Sequence, residues 1–136
     1  MVFPAVTGSG EAVLVSDRTA SPIEVDAIVA SGGLVGVNFY VGDLRKDGRS
    51  EPNTPIETLV RHIDYIVERI GIDHVGVGND FNHGGGVAGY IDASGAPSLT
   101  AALLEHGYTE ADIRKIWGEN FMRVWRTVDQ SVTTRE

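Results

Sequence analysis

Twice in this chain, an amphipathic helical pattern leads through glycine into an apolar segment of strand length. The first copy is "SPIEVDAIVASGG" followed by "LVGVNFY", and the second is "TPIETLVRHIDYIVERIG" followed by "HVGVG". Helices that alternate with buried strands indicate parallel strands joined by right-handed helical crossovers. This repeat therefore predicts an α/β fold built on a parallel sheet.

The ends of these two helices carry recognisable signals. Ser21 and Thr54 are predicted N-caps, because each is followed by a proline and then by a glutamate at the third position. Gly71 is the predicted stop of the second helix, and two consecutive glycines end the first. The helix that ends at Gly71 is the strongest prediction, because its apolar residues recur at three-and-four spacing.

Two further helices are predicted in the last third of the chain. "APSLTAALLEHG" is expected to begin at Ser98, and "TEADIRKIWGENFMRVWRTV" at Thr109, with a break near Gly118. The tail, residues 129–136, is polar and is expected to fray. Five apolar residues at helical spacing are expected to pack in the core: Trp117, Phe121, Met122, Val124 and Trp125.

The apolar opening segment, "MVFPAV", is expected to be a first strand, followed by an irregular polar stretch. With "LVGVNFY" and "HVGVG" it gives three strands, which the alternating pattern predicts to be parallel neighbours. Three parallel strands alone leave two unpaired edges, which stable domains seldom tolerate. Residues 1–136 are therefore expected to form a single, partial domain of a larger fold.

Composition limits the classes of function. The chain has 136 residues, 42% hydrophobic and 22% charged, with a formal net charge of −8. This acidic balance speaks against nucleic acid or an anionic membrane as a partner. There is no cysteine, no signal-peptide pattern and no apolar run of membrane-spanning length. We expect a soluble, cytoplasmic protein.

Polar residues follow two of the predicted strands, where α/β proteins place their chemistry. Asn38 and Tyr40 follow one strand, and Asp80 and His83 follow the other. A carboxylate at the mouth of a buried strand requires a cation or hydrogen-bond donors nearby. Asp80 is therefore the candidate catalytic residue, although the same sequence is compatible with an aspartate that caps its own loop.

The glycine run after His83 has a competing interpretation. "HGGG" resembles the oxyanion loop of some esterases, but the chain lacks the G-x-S-x-G motif that such enzymes need. We expect instead that the glycines let a loop bend over a pocket. His62 lies within a predicted helix and is expected at the surface or behind the site. The chain contains no recognisable set of metal ligands.

Three segments, in order, resemble the C-terminal part of the renal (membrane) dipeptidase family, zinc peptidase family M19. They are "GGLVGVNFY", "HIDYIVERIGIDHVGVGNDFNHGGGV" and "LTAALLEHGYTEADIRKIWGENFMRVW". The resemblance implies a TIM-like (β/α)8 barrel of the metallo-dependent hydrolase type, of which this chain would supply about strands six to eight and the C-terminal helices. It also implies hydrolysis of dipeptides with two zinc ions, and a homodimer as one expected assembly.

The resemblance assigns roles residue by residue. Asp80 matches the aspartate after the last barrel strand, which engages the amino group of the substrate and takes part in proton transfer. Arg18 matches an arginine that binds the substrate carboxylate, and Tyr40 matches a tyrosine near that carboxylate. Asn38 and His83, at the same strand ends, are further candidates for substrate binding.

The chain also departs from the family pattern. The H-x-D motif of the first barrel strand and the bridging glutamate, which bind the metals in the family, are absent, and the position of the last metal histidine falls on Thr7. We therefore expect a chain that supplies no zinc ligand and is inactive alone. The alternatives are a non-catalytic binding or assembly module, or the product of a truncated gene.

Overall fold

The computed structural model describes residues 2–6, 12–16, 22–44, 51, 53–79 and 81–133. Its strands are β1 (Val2–Val6), β2 (Ala12–Ser16), β3 (Val35–Asn38) and β4 (Val75–Gly78). Its helices are α1 (Pro22–Ala30), α2 (Val41–Leu44), α3 (Ile56–Ile70), α4 (Ala96–Glu105), α5 (Glu110–Arg114) and α6 (Asn120–Thr133). A π-helix, Lys115–Glu119, joins α5 to α6.

The predicted parallel pairing is confirmed for the second and third strands. β3 and β4 pair in parallel, from Val35 opposite Val75 to Asn38 opposite Gly78. The connection between them contains α3, whose buried residues pack into the core. Because both strands are short and aligned, their carboxyl ends reach the same edge of the sheet.

The prediction for the first strand is wrong in its pairing. β1 is a strand, but it pairs antiparallel with β2, from Val2 opposite Ser16 to Val6 opposite Ala12. The stretch that was expected to be irregular therefore contains a strand. Two apolar runs flank residues 7–11, which include two glycines, and this arrangement is a signal for a hairpin. The described sheets are thus one antiparallel hairpin and one parallel pair.

Most helix positions agree with the predictions, but two caps do not. α3 begins at Ile56, and the Thr54 hydroxyl donates to the Glu51 carbonyl (2.9 Å) instead of capping the helix. α4 begins at Ala96, two residues before Ser98, because a short 3₁₀ turn (Ala93–Gly95) leads directly into it. Ser21 lies outside the described residues.

Two other predicted helix signals are confirmed. Thr109 caps α5 in a capping box with Asp112, and Gly71 ends α3 with a φ of 88°, which favours glycine. α6 continues to Thr133, past the point where the tail was expected to fray. Within the described residues, no helix is both long and apolar enough to cross a membrane.

The core lies between the parallel pair and α3, α4 and the π-helix. It contains Phe39, Leu59, Ile63, Val75 and Leu103, among others. α6 contributes less than its sequence predicted: Val124 is buried, but Phe121, Met122 and Trp125 are exposed. The buried positions of α6 are Asn120 and Val124, four residues apart, so one narrow face of the helix meets the core and the three exposed residues lie outside it.

Polar contacts hold the amino ends of the parallel strands. The buried amide of Asn120 donates to the carbonyls of Ile72 (2.7 Å) and Val75 (2.8 Å). The Arg123 guanidinium donates to carbonyls in the two turns that precede the strands, at Gly32 (2.8 Å) and Asp73 (2.7 Å). These contacts fix the end of the sheet opposite to the candidate site.

Candidate functional site

The candidate site lies at the carboxyl edge of the parallel pair. Asn38 and Gly78 are register partners, so the chain leaves β3 and β4 at the same level. The segment after β3 continues into α2, and the segment after β4 continues into a 3₁₀ turn, Phe81–His83. Residues far apart in the sequence therefore meet at this edge.

Asn38 has a local structural role at the end of β3. Its side-chain oxygen accepts a hydrogen bond from the Tyr40 backbone N–H at 2.9 Å. This turn, built by an asparagine side chain, bends the chain out of the sheet immediately after the strand. The same contact fixes the backbone from which the Tyr40 side chain extends, so two predicted site residues are joined directly.

The glycine loop after β4 lies against the segment after β3. The Gly86 N–H donates to the Phe39 carbonyl at 2.9 Å, and Tyr40 and Gly85 form an isolated antiparallel bridge. Gly86 has a φ of 144°, and a Cβ there would lie 3.0 Å from the Cα of Ile91. Glycine is therefore required where the loop packs closely, consistent with the predicted bend.

A cluster of aromatic side chains connects the segment after β3 with the segment after β4. Phe39 contacts Tyr90 edge-to-face at 4.9 Å between ring centroids, and Phe81 contacts both rings, at 6.0 Å and 5.4 Å. Trp117 of the π-helix joins the cluster through Tyr90, at 6.2 Å. Burial raises the pKa of the Tyr90 phenol, which stays neutral. Edge-to-face packing of this kind makes the floor of the edge rigid.

Three predicted site residues are not described by the structure in the detail that their roles require. Asp80 and Arg18 lie outside the described residues. The backbone of His83 belongs to the 3₁₀ turn after β4, but its side chain is not among the described groups. Of the predicted set, the structure thus brings together Asn38 and Tyr40.

The described part of this edge does not fit a zinc site. Among the described residues, no three histidine, cysteine, aspartate or glutamate side chains come together in a way that could hold a metal ion. The described polar groups after the strands are the amides of Asn38, Asn79 and Asn82 and the phenol of Tyr40. These groups are poor zinc ligands beside imidazole and carboxylate.

Two surface depressions lie away from this edge. One, of about 400 Å³, is lined by Asp26 of α1 and by residues of α3. The other, of about 340 Å³, lies between α3 and the turn before α5. In it, the Tyr108 hydroxyl donates to Asp64 at 2.7 Å, and burial together with this carboxylate raises the pKa of Tyr108. Neither depression is lined by a residue of the strand ends.

One contact near the edge has no signal in the sequence. The Nε2 atom of His62, on α3, lies 2.9 Å from the carbonyl oxygen of Leu44, the last residue of α2. The partners are 18 residues apart in the sequence, so local patterns do not predict this contact. His62 was expected at the surface or behind the site, and it is half-buried beside the helix that follows Tyr40.

Curated relatives resemble this chain over most of its length. An uncharacterized protein in the pqqA 5' region of Klebsiella pneumoniae is 37% identical over 126 residues, which cover 93% of this chain and 46% of that protein. Dipeptidase ataJ of Aspergillus terreus is 42% identical over 127 residues, covering 89% of this chain and 30% of the relative. The chain therefore spans less than half the length of either protein.

A solved structure and a family model also resemble this chain over most of its length. A metallo peptidase from Rhodobacter sphaeroides, crystallised with a phosphinate mimic of the dipeptide L-Ala-D-Ala, superposes with a TM-score of 0.75 at 37% identity. The match covers 79% of this chain and 30% of that one. The family model described as membrane dipeptidase (peptidase family M19) matches residues 8–136. This chain belongs to the membrane dipeptidase family, peptidase family M19.

Proposed function

We propose that this chain forms the substrate-binding side of a zinc-dependent dipeptidase with a (β/α)8 barrel. The observation that carries the proposal is the joined carboxyl edge of β3 and β4. There Asn38 holds the Tyr40 backbone, and the loop after β4 is bonded to the segment after β3. In folds with parallel strands and helical crossovers, this edge is where substrates bind. Family membership supports dipeptides as the substrate class.

The proposed roles follow the charges of a dipeptide. Asp80 would pair with the free amino group of the substrate and take part in proton transfer. Arg18 and Tyr40 would bind the substrate carboxylate, for which a guanidinium and a phenol are suitable donors. Asn38 and His83 would line the same side of the pocket. Two zinc ions would be held by residues outside this chain, and within its described residues no group of three ligands could hold a metal ion.

The test uses this chain restored to the length of the family barrel by fusion to the amino-terminal part of the Rhodobacter sphaeroides relative. We expect zinc-dependent release of alanine from L-Ala-D-Ala by this fusion. Replacing Asp80 by Asn keeps the shape but removes the charge and the proton-transfer group. We expect turnover to fall by about 100-fold or more, with the zinc content unchanged.

Asp26→Asn is the matched control. Asp26 is an exposed carboxylate on α1 that pairs with Arg69 on the outer surface, at 3.3 Å. We expect this variant to keep wild-type turnover. If Asp80→Asn also kept it, the role proposed for Asp80 would be wrong. A fusion that folds and binds zinc but hydrolyses no dipeptide would contradict the proposed function as a whole.

A further inference from the structure

His62 makes a contact near the site that the proposed function does not use. Its Nε2 atom lies 2.9 Å from the Leu44 carbonyl oxygen. A carbonyl oxygen only accepts hydrogen bonds, so the imidazole must carry a proton on Nε2. The contact therefore specifies the ring nitrogen that acts as the donor.

This hydrogen bond matters because it is made to the last residue of α2. α2 has four residues, Val41–Leu44, and the carbonyls of its last turn have no partner within the helix. His62 supplies a donor to the last of them, across from α3. So short a helix is marginal without contacts from outside. The histidine thus caps α2 from a neighbouring helix.

The cap is connected to Tyr40 by a second hydrogen bond. The Leu44 N–H donates to the Tyr40 carbonyl at 3.2 Å, so His62 and Tyr40 are linked through a single residue. On its other side, the Tyr40 N–H donates to the Asn38 side chain at 2.9 Å. The Tyr40 backbone is therefore held at both ends, by the turn after β3 and by the capped helix.

We propose that His62 is a positioning residue, which sets the direction of the Tyr40 side chain by capping α2. The inference rests on the proposed function, because the value of placing Tyr40 comes from its role toward the substrate carboxylate. Packing alone already anchors α2, since Val41 and Leu44 are buried. Loss of the His62 contact is therefore expected to move Tyr40 while leaving the fold in place.

The first part of the test needs no enzyme activity. Nitrogen-15 NMR of the histidine side chains in the 136-residue chain should show His62 protonated on Nε2. Carbon-13 labelling of the tyrosine rings should give a separate set of ring signals for each of the four tyrosines. We expect His62→Ala to shift the Tyr40 ring signals and to leave those of Tyr65 unchanged.

Two variants serve as controls. His62→Gln keeps an N–H donor of similar reach, and we expect it to restore the Tyr40 signals toward their wild-type positions. His106→Gln changes another histidine, one that faces Asp64 at 3.4 Å on the other side of α3, and should leave Tyr40 unchanged. An Nε2 of His62 that carries no proton, or a Tyr40 ring unmoved in His62→Ala, would overturn the inference.

The second part measures dipeptide hydrolysis by the fusion with the Rhodobacter sphaeroides relative. We expect His62→Ala to raise KM several-fold and to leave kcat within about twofold of wild type. This is the pattern expected when an interaction is lost that the enzyme makes equally with the bound substrate and with the transition state. His62→Gln should lie closer to wild type. If His62→Ala moves the Tyr40 ring but leaves KM unchanged, the positioning contact stands and the substrate role of Tyr40 fails. The two proposals are thus separated.

Discussion

At the scale of single residues, close packing under the candidate site depends on Gly95. A Cβ at this position would lie 2.6 Å from the Tyr90 Cα and 2.7 Å from the Gly89 carbonyl oxygen. Both are backbone neighbours, which cannot rotate away as the end of a side chain can. Tyr90 is the central ring of the aromatic cluster. A side chain at residue 95 that displaced Tyr90 would therefore also displace Phe39 and Phe81.

Replacing Gly95 by Ala is expected to destabilise the chain by about 1–3 kcal/mol, the usual cost of overpacking a core. Gly118→Ala is the matched control: a Cβ there has no neighbour within 4 Å, and the residue is helical. That change should be neutral or stabilising by up to about 1 kcal/mol. Urea unfolding followed by circular dichroism measures both. Equal free energies of unfolding for the two variants would contradict the packing argument.

Histidine and asparagine side chains show the limit of residue-level prediction. Asn38 and Tyr40 could be placed at a strand end because an apolar run determines where the strand stops. The contact between His62 and Leu44 could not, because it depends on how α3 packs against α2. The roles of Asp80, Arg18 and His83 remain predictions.

At the scale of elements, one hydrogen bond joins α3 to the turn before α5. The Tyr108 hydroxyl donates to Asp64 at 2.7 Å. Burial and this carboxylate raise the pKa of Tyr108 above its ordinary value of 10.0. The neutral phenol is thus favoured in the folded chain, so its contribution is full below pH 10 and is lost as the pH rises above it.

Tyr108→Phe is expected to lower the free energy of unfolding near neutral pH by about 1–2 kcal/mol, because a hydrogen bond to a charged group is lost. The variant should also lose less stability than wild type when the pH is raised above 10. Urea unfolding at several pH values tests both expectations. Tyr65→Phe, an exposed tyrosine of the same helix, is the control and should match wild type. An unchanged alkaline slope in Tyr108→Phe would refute the linkage.

Elements were predictable where their signals are local. The parallel pair and α3 follow from strand-length apolar runs and a regular helical stripe. The β1–β2 hairpin was missed because the prediction placed the second apolar run within an irregular polar stretch, although two apolar runs around glycines are a hairpin signal. The exposure of Phe121 and Trp125 was missed because the buried face of α6 is narrow and carries the polar Asn120 beside Val124.

At the scale of the whole molecule, the proposal that this chain binds the substrate while other residues hold the zinc ions has a direct consequence for the 136-residue chain. We propose that the metal ligands lie outside this chain, and its described residues offer no group of three ligands. We expect the chain alone to bind zinc weakly and to show no zinc-dependent hydrolysis of L-Ala-D-Ala. Equilibrium dialysis with zinc and an assay for free alanine measure these properties. Turnover of the dipeptide by the purified chain would disprove this expectation.

The π-helix at Lys115–Glu119 contains about one residue more in its turn than an α-helix does. Deleting one residue in this segment would convert it to an α-helical turn, and Asn120 and Val124 would keep their places against β4. An insertion between Asn120 and Val124 is different, because each residue added to an α-helix rotates the turns that follow by about 100°. The bonds from Asn120 to the carbonyls of Ile72 and Val75 would then hold one end of the helix while Val124 turned out of the core. A single deletion in the π-helix is therefore far easier to accommodate than an insertion in α6.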